Sequence, residues 1–227
     1  MKNNKHIIMV GNTAWGMYNF RKDLIKKLLI TGYRITIVAP SDNQFSTKIR
    51  ELGCQFNDIK IDAKGSSIVN DLKLTINFLK LYKRLKPSFI FHYTIKPNIY
   101  GSFAAKILNI PHIAVITGLG YTFLNKNLVS FFAKLLYKIS LTSAKQIWFL
   151  NQDDKNLFID KKILKADRCR VLNGEGINLE EYYPHAKEND IKSFLLIARL
   201  LWDKGVGEYV EAAKLLNKAN PNVQFNI

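Results

Sequence analysis

The stretch IVNDLKLTINFLKLYKRLKPSFIFHYT, residues 68–94, joins a helical pattern to a short apolar run. Apolar and polar residues alternate as in an amphipathic helix over residues 68–86, and Pro87 predicts its end because the residue before a proline disfavours helical backbone. The run SFIFHYT that follows has the length and apolar content of a strand. This stretch therefore predicts a helix that leads the chain into a new strand.

The same alternation extends over the first two thirds of the chain. Short apolar runs rich in β-branched residues are separated by helical patterns, and these runs are HIIMV, RITIVAP, FNDIKI, SFIFHYT, HIAVIT and QIWFLN. Such alternation is typical of βαβ units around a parallel sheet. We therefore expect an α/β fold with a doubly wound parallel sheet.

Beyond QIWFLN the pattern loosens through a polar, proline-containing segment. KSFLLIAR then opens a second series, with GVGEYVEAAKLLNKAN as its helix and VQFNI as its second strand. We expect an amino-terminal domain over residues 1–170, a linker over 171–191 and the start of a second domain over 192–227. Because two parallel strands cannot bury both faces of a sheet, we expect that second domain to be incomplete.

The composition is that of a basic globular protein. Lys and Arg total 34 against 18 Asp and Glu, a formal charge of +16, so the expected partners are anionic: nucleic acid, phosphorylated small molecules or an acidic lipid surface. Cys54 and Cys169 are far apart and lack CxxC spacing, which indicates neither a disulfide framework nor a metal site. No apolar run is long enough for a signal peptide or a membrane span, so we expect a soluble or surface-bound cytoplasmic protein.

The first strand is followed by a glycine-containing loop, VGNTAWGMYNFR. Gly11, Asn12 and Gly16 would lie at the carboxyl end of that strand, where doubly wound sheets bind ligands. Met17 and Tyr18 stand where a Walker A loop needs Lys and Ser or Thr, which excludes that motif. Two interpretations stay open: the backbone approaches an anion, or the glycines only permit a tight turn.

A second loop, ITGLGYTF, follows the strand HIAVIT. Phe123 stands where a dinucleotide-binding fingerprint needs its third glycine, which argues against NAD. Thr117, Gly118 and Gly120 are nevertheless candidates for contacts with a sugar or a phosphate, because this loop lies at a strand end and offers free backbone groups.

The stretch HYTIKPNIY places His92 and Thr94 at another strand end and Lys96 in the loop that follows. Lys96 is a candidate for binding an anion, and the alternative is an ordinary solvated lysine. His92 is interpreted as a packed strand residue rather than a catalyst.

The segment LVSFFAKLLYKISL predicts an amphipathic helix with Ser130, Lys134 and Lys138 on one stripe. Its broad apolar face consists of Leu128, Phe131, Phe132, Leu135, Leu136 and Ile139. We expect this face to pack on the sheet. The alternative is a basic, aromatic helix partly embedded in anionic lipid, and the two can hold for different faces.

The stretch SFLLIARLLWDKGVGEYVEAAKLL, residues 193–216, carries two cations at its strand-to-helix turn. Arg199 and Lys204 could converge on a diphosphate at the positive end of the helix. A departing pyrophosphate gains negative charge, and fixed cations stabilise that state, so both residues are candidate catalytic groups. The alternative is that both are surface residues.

Together with VLNGEGINLEEYYP, the R-L-x-x-x-K-G pattern in LLIARLLWDKGVGEYVEAA resembles glycosyltransferase family 4, the retaining GT-B enzymes with two Rossmann-like domains. Asn173 and Gly174, and then Tyr183 with Pro184, match the family's approach to its second domain. HYTIKPNIYGSFAAKILNIP and ITGLGYTF are similar to bacterial members that build capsular, O-antigen or glycan precursors on polyprenyl diphosphate.

The resemblance implies a retaining transfer of a sugar, often an N-acetylhexosamine, from a UDP-sugar to a lipid-linked or glycan acceptor. Arg199 and Lys204 would bind the donor diphosphate without a metal or cofactor, and Asn173 would contact substrate. The loops after Gly11, His92 and Thr117 would face the acceptor and the sugar. It further implies work at an anionic membrane, on the inner face of the plasma membrane, and no nucleic-acid partner.

Two departures from the family pattern stand out. Many members place His immediately before the glycine that here is Gly118, whereas this chain has Thr117, which cannot act as a comparable base. The family's E-x7-E segment, which holds the donor sugar, is expected far downstream, beyond Ile227. We therefore expect the chain to be a piece of a longer enzyme and to have little transferase activity alone.

Three other functions would also account for part of these sequence features. A UDP-sugar 2-epimerase would share the two-domain architecture but fits the R-L-x-x-x-K-G turn less well. A nucleic-acid-binding protein would explain the positive charge, yet no helix-turn-helix, zinc-finger or RNP1 pattern occurs in the sequence. A non-catalytic module on a membrane surface is the third.

Overall fold

The structure is a computed structural model that describes residues 5–62, 65, 67–118, 128–184 and 193–227, without the side chains of residues 128–131. Two compact units divide the chain, Met1–Asn178 and Leu179–Ile227. Each unit is described by itself below.

The first unit is built on a parallel sheet of seven strands in the order β3-β2-β1-β4-β5-β6-β7. The strands are β1 His6–Val10, β2 Arg34–Ala39, β3 Gln55–Asp58, β4 Phe89–Tyr93, β5 His112–Ile116, β6 Gln146–Phe149 and β7 Cys169–Val171. The chain builds the sheet outward from β1 in one direction and then continues from β4 in the other. The predicted doubly wound α/β fold is confirmed, with a switch in strand order between β1 and β4.

Six helices of the described part of this unit connect the strands. They are α1 Ala14–Ile30, α2 Phe45–Glu51, α3 Ile68–Leu85, α4 Ser102–Ile107, α5 Leu128–Ser140 and α6 Gln152–Asp160, with a π-helical turn at Pro97–Gly101 and 3₁₀ turns at Leu141–Ser143 and Ala166–Arg168. The helix expected at residues 68–86 is confirmed. It ends at Leu85 because Lys86 adopts a left-handed conformation, with φ of 45°, just before Pro87.

The core lies on both faces of the sheet. Ile7, Met9 and Ile37 point to the face covered by α1 and α2, while Ile8 and Ile90 point to the face covered by α3 and α4. Successive residues of a strand face opposite sides, so a strand covered on both sides must be apolar throughout. This requirement explains why inner strands such as β1 and β5 appear in the sequence as nearly uninterrupted apolar runs.

Helix α5 differs from its expected orientation. Phe132, Leu135, Leu136 and Ile139 are exposed by 38–57%, so the expectation that this apolar face packs on the sheet is wrong for the described side chains. Tyr137 is buried instead, with its ring 5.4 Å from that of Phe158 in an edge-to-face contact. The helix therefore turns its Tyr137 edge to the core. Leu128, Ser130 and Phe131 lie outside the described side chains.

The second unit contains strands β8 Ser193–Leu195 and β9 Gln224–Asn226, which pair in parallel, and helix α7 Val206–Ala219 after a 3₁₀ turn at Trp202–Lys204. The expected order of strand, helix and strand is confirmed. Tyr209 joins both strands, since its hydroxyl lies 3.0 Å from the carbonyl oxygens of Phe194 and Asn226. Large apolar side chains of this unit, including Leu195 and Ile197, are exposed.

Candidate functional site

A pocket of about 380 Å³ opens in the first unit where β1, β4 and β5 end. This position is beside the switch in strand order, where doubly wound sheets bind ligands because loops diverge from the sheet there. Its lining combines amide and hydroxyl groups with aromatic rings and one ion pair, in a set of thirteen residues: Gly11, Asn12, Thr13, Trp15, Gly16, Met17, Phe20, Arg21, Tyr93, Thr94, Thr117, Leu150 and Glu175. The structure thus brings together five residues predicted from three separate loops: Gly11, Asn12, Gly16, Thr94 and Thr117.

The first loop is held in place by the start of α1. Thr13 caps the helix, because its side-chain oxygen accepts a hydrogen bond from the Gly16 amide at 3.0 Å. A Cβ on Gly16 would lie 2.9 Å from Thr13 Oγ1, and one on Gly11 would lie 2.5 Å from Met17 Sδ. A larger residue at either position would therefore have to displace the side chain of Met17 or Thr13. Both glycines shape the turn and also line the pocket, while the approach of this backbone to an anion stays a prediction.

Thr94 has an unusual backbone conformation at the end of β4. Its φ is 70°, a left-handed value that β-branched residues rarely adopt. Its carbonyl accepts a hydrogen bond from the Asn98 amide at 3.0 Å, which helps to hold the turn. Strain of this kind costs about 1–3 kcal/mol and is concentrated at functional sites. Among the residues predicted to bind substrate, Thr94 is therefore the one whose backbone conformation points most directly to a binding role.

A buried ion pair closes one side of the pocket. Both terminal guanidinium nitrogens of Arg21 contact the Glu175 carboxylate, and the side chains are only 9% and 19% exposed. The guanidinium also lies over the Tyr93 ring, 4.3 Å from its centre. Burial lowers the pKa of Arg21 and raises the pKa of Tyr93 to about 12. Tyr93 is therefore a neutral phenol at physiological pH, and the pair adds no net charge to the pocket.

The pair and the aromatic residues of the pocket were missed by the sequence analysis. Arg21 and Glu175 are 154 residues apart, so no local pattern joins them. The sequence did contain a signal that could have marked Glu175 as a site residue, because it stands between two glycines directly after the predicted strand CRVLNG. Trp15 and Phe20, whose rings meet edge-to-face at 5.3 Å, lie on the first turns of α1 and are half exposed.

Lys96 lies in a different environment. Its Nζ is 2.6 Å from Asp71 Oδ1, and Tyr100 donates a hydrogen bond to Asp71 Oδ2 at 2.6 Å. The Lys96 and Asp71 side chains are 11% and 14% exposed. Burial, with the neighbouring Asp71 carboxylate, raises the pKa of Tyr100. An anion would have to compete with Asp71 for this ammonium group.

His92 is a packed strand residue, as interpreted from the sequence. It is fully buried, with Nε2 2.9 Å from the Tyr82 hydroxyl and Nδ1 3.2 Å from Ser102 Oγ. Burial and the nearby His112 ring hold the pKa of His92 well below its usual range. Because the neutral ring is fully bonded inside the core, it is not accessible to a substrate.

The remaining predicted residues are spread over both units. Gly118 follows Thr117 with a φ of 139°, and Asn173 is exposed after β7. Gly120 lies outside the described residues. In the second unit Arg199 and Lys204 are both exposed, and Lys204 Nζ is 3.6 Å from Asp203 Oδ2. Their binding of a diphosphate stays a prediction.

Within the described ranges, no group of three or more His, Cys, Asp or Glu side chains is arranged to hold a metal ion. Cys54 and Cys169 are buried free thiols, and burial raises the pKa of Cys54 to about 11. No helix in the described part of the chain combines the length and apolarity that crossing a bilayer requires.

The doubly wound α/β sheet and the pocket at the carboxyl ends of its strands place this unit in the class of Rossmann-like domains, which bind their ligands at this edge. Sequence similarity identifies the family within this class. Residues 6–151 match the family model described as glycosyl transferase 4-like, which is more than half of the sequence. The chain belongs to this family.

Named relatives agree with this assignment. The N,N'-diacetylbacillosaminyl-diphospho-undecaprenol alpha-1,3-N-acetylgalactosaminyltransferase of Campylobacter jejuni is 31% identical over 223 residues, covering 90% of this chain and 59% of the relative. The capsular polysaccharide biosynthesis glycosyltransferase CapM of Staphylococcus aureus is 26% identical over 173 residues, covering 70% of this chain and 45% of the relative. The chain thus spans about half the length of these relatives.

A solved structure shares the fold. Anabaena HepE, in complex with UDP and glucose, superposes with a TM-score of 0.69 at 15% identity, covering 97% of this chain and 59% of that protein. At this identity the likeness establishes the fold alone.

Proposed function

We propose that the chain provides the acceptor-binding part of a retaining glycosyltransferase. The enzyme would transfer an N-acetylhexosamine from a UDP-sugar to a sugar carried on a polyprenyl diphosphate. Family membership supports glycosyl transfer, and the Campylobacter relative is named as a transferase of N-acetylgalactosamine with a diphospho-undecaprenol acceptor. The observation that carries the proposal is the pocket at the switch in strand order, lined by hydroxyl and amide groups from three loops.

The lining of the pocket suits an uncharged sugar ring. Asn12, Thr13, Thr94 and Thr117 offer hydrogen-bond donors and acceptors for sugar hydroxyl or acetamido groups. Trp15 and Phe20 present aromatic surface at the same opening, on which the apolar face of a sugar or a prenyl chain can pack. Since Glu175 neutralises Arg21, the described lining of the pocket offers no spare cation for a diphosphate, and we propose that the diphosphate is bound elsewhere.

In the proposed reaction the bond between the sugar C1 and the UDP oxygen breaks, and a new bond forms between C1 and an acceptor hydroxyl on the same face. The acceptor proton passes to the departing phosphate oxygen, so no enzyme base is needed and Thr117 is tolerated where relatives have His. Arg199 and Lys204 of the second unit would stabilise the negative charge that develops on UDP. The chemistry requires neither a metal nor an organic cofactor.

The proposal places the enzyme at the membrane that holds its acceptor, on the cytoplasmic face, where nucleotide sugars are available. A polyprenyl chain keeps the acceptor in the bilayer, so the transferase must approach the lipid surface.

Acceptor binding tests this proposal. A short-chain prenyl-diphosphate-linked N-acetylhexosamine is titrated into the chain, and the dissociation constant is measured by calorimetry. We expect Asn12→Leu to weaken binding at least about tenfold, because it removes an amide and fills the pocket. Asn77→Leu, an exposed change on α3, is the matched control and should leave the affinity unchanged.

Two results would overturn the proposal. One is equal affinity of the wild type and Asn12→Leu for the acceptor. The other is conversion of a UDP-N-acetylhexosamine to its C2 epimer without any acceptor, detected by NMR, which would assign the chain to the 2-epimerases instead.

A further inference from the structure

The turn that follows β4 brings Thr94 to the candidate pocket in a left-handed conformation, with φ of 70°. The Thr94 hydroxyl donates to the carbonyl oxygen of Tyr93, and the Asn98 amide donates to the Thr94 carbonyl oxygen at 3.0 Å. A β-branched residue keeps such a backbone only where the surrounding structure imposes it. The contacts of the segment after Thr94 therefore determine how Thr94 lies in the pocket.

Asn98 joins this turn to the neighbouring strand. Its side chain is fully buried, and Nδ2 donates to the Val115 carbonyl oxygen at 2.9 Å. Val115 belongs to β5 and precedes Thr117, which lines the same pocket, by two residues. Asn98 consequently links the backbone that carries Thr94 to the strand that carries Thr117.

Asp71, in the first turn of α3, holds the residues on either side of Asn98. Its Oδ1 accepts from Lys96 Nζ at 2.6 Å, and its Oδ2 accepts from the Tyr100 hydroxyl at 2.6 Å. Lys96 is the N-cap of the π-helical turn Pro97–Gly101, and Tyr100 lies within that turn. Such turns are rare and are frequently found at functional sites. One carboxylate thus spans the whole turn.

Burial strengthens the contacts of Asp71. The side chains of Lys96 and Asp71 are only 11% and 14% exposed, so little water competes for the ion pair. The Tyr100 hydroxyl donates to the same charged group, and bonds of this kind are about twice as strong as those between neutral groups. Without Asp71 the Lys96 ammonium would be buried and unpaired, which is costly enough to displace the segment that carries it.

We propose that Asp71 is a positioning residue for the acceptor site. None of Asp71, Lys96 and Tyr100 lines the described pocket, so they act on a ligand there through the turn and Thr94. Because the Thr94 hydroxyl donates to the Tyr93 carbonyl oxygen, its lone pairs accept a hydrogen bond from a hydroxyl or acetamido group of the acceptor. This inference rests on the proposed function, since it takes the acceptor to bind in this pocket.

Hydrogen exchange measured by NMR tests the Asp71 contacts without a ligand. The Asn98 amide is the reporter, since it donates to Thr94. Tyr100→Phe removes one of the two contacts of Asp71 and should raise the exchange rate of this amide at least about tenfold. Asp71→Ala removes both contacts and should raise the rate further. Amides of β1 should exchange as in the wild type, which separates local opening of the turn from a general loss of stability.

The conservative variant keeps the test decisive. Circular dichroism verifies that both variants are folded, and Tyr100→Phe decides the outcome alone if Asp71→Ala does not fold. An unchanged exchange rate of the Asn98 amide in Tyr100→Phe would overturn the proposal.

Acceptor calorimetry measures the effect on the pocket, with the short-chain prenyl-diphosphate-linked N-acetylhexosamine as the probe. Tyr100→Phe should weaken binding about threefold and Asp71→Ala about tenfold. Thr94→Gly keeps the left-handed backbone without strain but removes the hydroxyl, so it should also weaken binding about tenfold. In the Thr94→Gly background, Asp71→Ala should weaken binding by less than about twofold, because the group that it positions is absent. Losses that multiply in the double variant would indicate a merely structural role and overturn the proposal.

Ser67→Ala is the matched control on the same helix. Ser67 caps α3 through the Asn70 amide, so this change loosens the first turn of the helix but keeps the Asp71 carboxylate. The exchange rate of the Asn98 amide and the acceptor affinity should both stay unchanged. Losses equal to those of Tyr100→Phe would show that the stability of α3, and not the contacts of Asp71, controls the turn.

This proposal and the proposed function fail in different ways. If the wild type did not bind the acceptor, the proposed function would fall, while exchange of the Asn98 amide would still decide whether Asp71 holds the turn. If the wild type bound the acceptor and Tyr100→Phe and Asp71→Ala bound it equally well, the acceptor site would stand and the positioning role of Asp71 would be overturned.

Discussion

At the scale of single residues, the ion pair of Arg21 and Glu175 is the contact with the largest expected effect. It joins α1 to the segment after β7 and lies beside the candidate pocket. A buried charge without its partner is strongly destabilising, while the complete pair is nearly neutral compared with an apolar replacement. The two residues are therefore expected to behave as a unit.

Glu175→Gln should lower the free energy of unfolding by about 3 kcal/mol, since it leaves the Arg21 guanidinium buried and unpaired. Arg21→Met combined with Glu175→Gln should recover most of that loss. Urea unfolding provides the measurement. Lys214→Ala serves as the control, because it breaks the ion pair with Glu211, in which the two side chains are 65% and 69% exposed. This change should alter the free energy of unfolding by less than about 0.5 kcal/mol. Additive losses in the double variant would contradict the coupling.

Three buried histidines predict how stability responds to pH. Burial lowers the pKa of His6, His92 and His112 below the usual value of 6.5. The unfolded chain therefore binds protons that the native protein does not, so the stabilisation is present above pH 6.5 and is lost as the pH falls. Each histidine contributes a slope of up to about 1.4 kcal/mol per pH unit, or about 4 for the three.

Urea unfolding at pH 7.5, 6.0 and 5.0 measures this slope. His112→Asn keeps a donor for the Ile110 carbonyl, which His112 Nδ1 contacts at 3.0 Å, but it cannot titrate. The slope below pH 6 should then fall by about 1.4 kcal/mol per pH unit. An unchanged slope would contradict a lowered pKa of His112 in the folded protein.

At the scale of elements, helix caps link the fold to the pocket. Thr13 caps α1 with a 3.0 Å hydrogen bond, while Ser67 caps α3 with a longer one of 3.4 Å. The start of α1 lines the pocket, whereas the start of α3 does not. Loss of either cap should destabilise its helix, but only the first should affect ligand binding.

Thr13→Ala should therefore cost about 1 kcal/mol of stability and weaken acceptor binding, and Ser67→Ala should cost less and leave binding unchanged. Thermal unfolding and acceptor calorimetry measure the two effects. If both variants bound the acceptor like the wild type, the start of α1 would not belong to the binding site.

At the scale of the whole molecule, the two units differ in how much they bury. The seven-stranded sheet is covered on both faces, whereas β8 and β9 form a two-stranded sheet with exposed apolar side chains. A sheet of two strands is marginal in water. The units should consequently open with different free energies.

Hydrogen exchange followed by mass spectrometry should show this difference. Amides of β8 and β9 should exchange at least about 100 times faster than those of β4 and β5, because local opening there exposes little new apolar surface. Equal protection of the two sheets would contradict the expectation. Addition of a nucleotide sugar that binds the second unit should slow exchange there selectively.

The sequence predicted the fold more fully than the site. Strands β1 and β5 are buried along their whole length and so had to be almost entirely apolar, and Pro87 marked a helix end that the structure confirms. Gly11, Asn12, Thr94 and Thr117 could be assigned to one edge because parallel strands all end on the same side of a sheet. The ion pair of Lys96 with Asp71 could not be predicted, because the two residues are 25 positions apart and no local pattern joins them.

The amino-acid sequence alone determined the doubly wound sheet, the edge where its loops gather and the excess of positive charge, since these follow from local pattern and composition. Only the tertiary structure decided that Arg21 pairs with Glu175 and that α5 turns its apolar stripe outward. Helical periodicity specifies that one side of a helix is apolar. Which side meets the core depends on how distant side chains, here Tyr137 and Phe158, fill the same space.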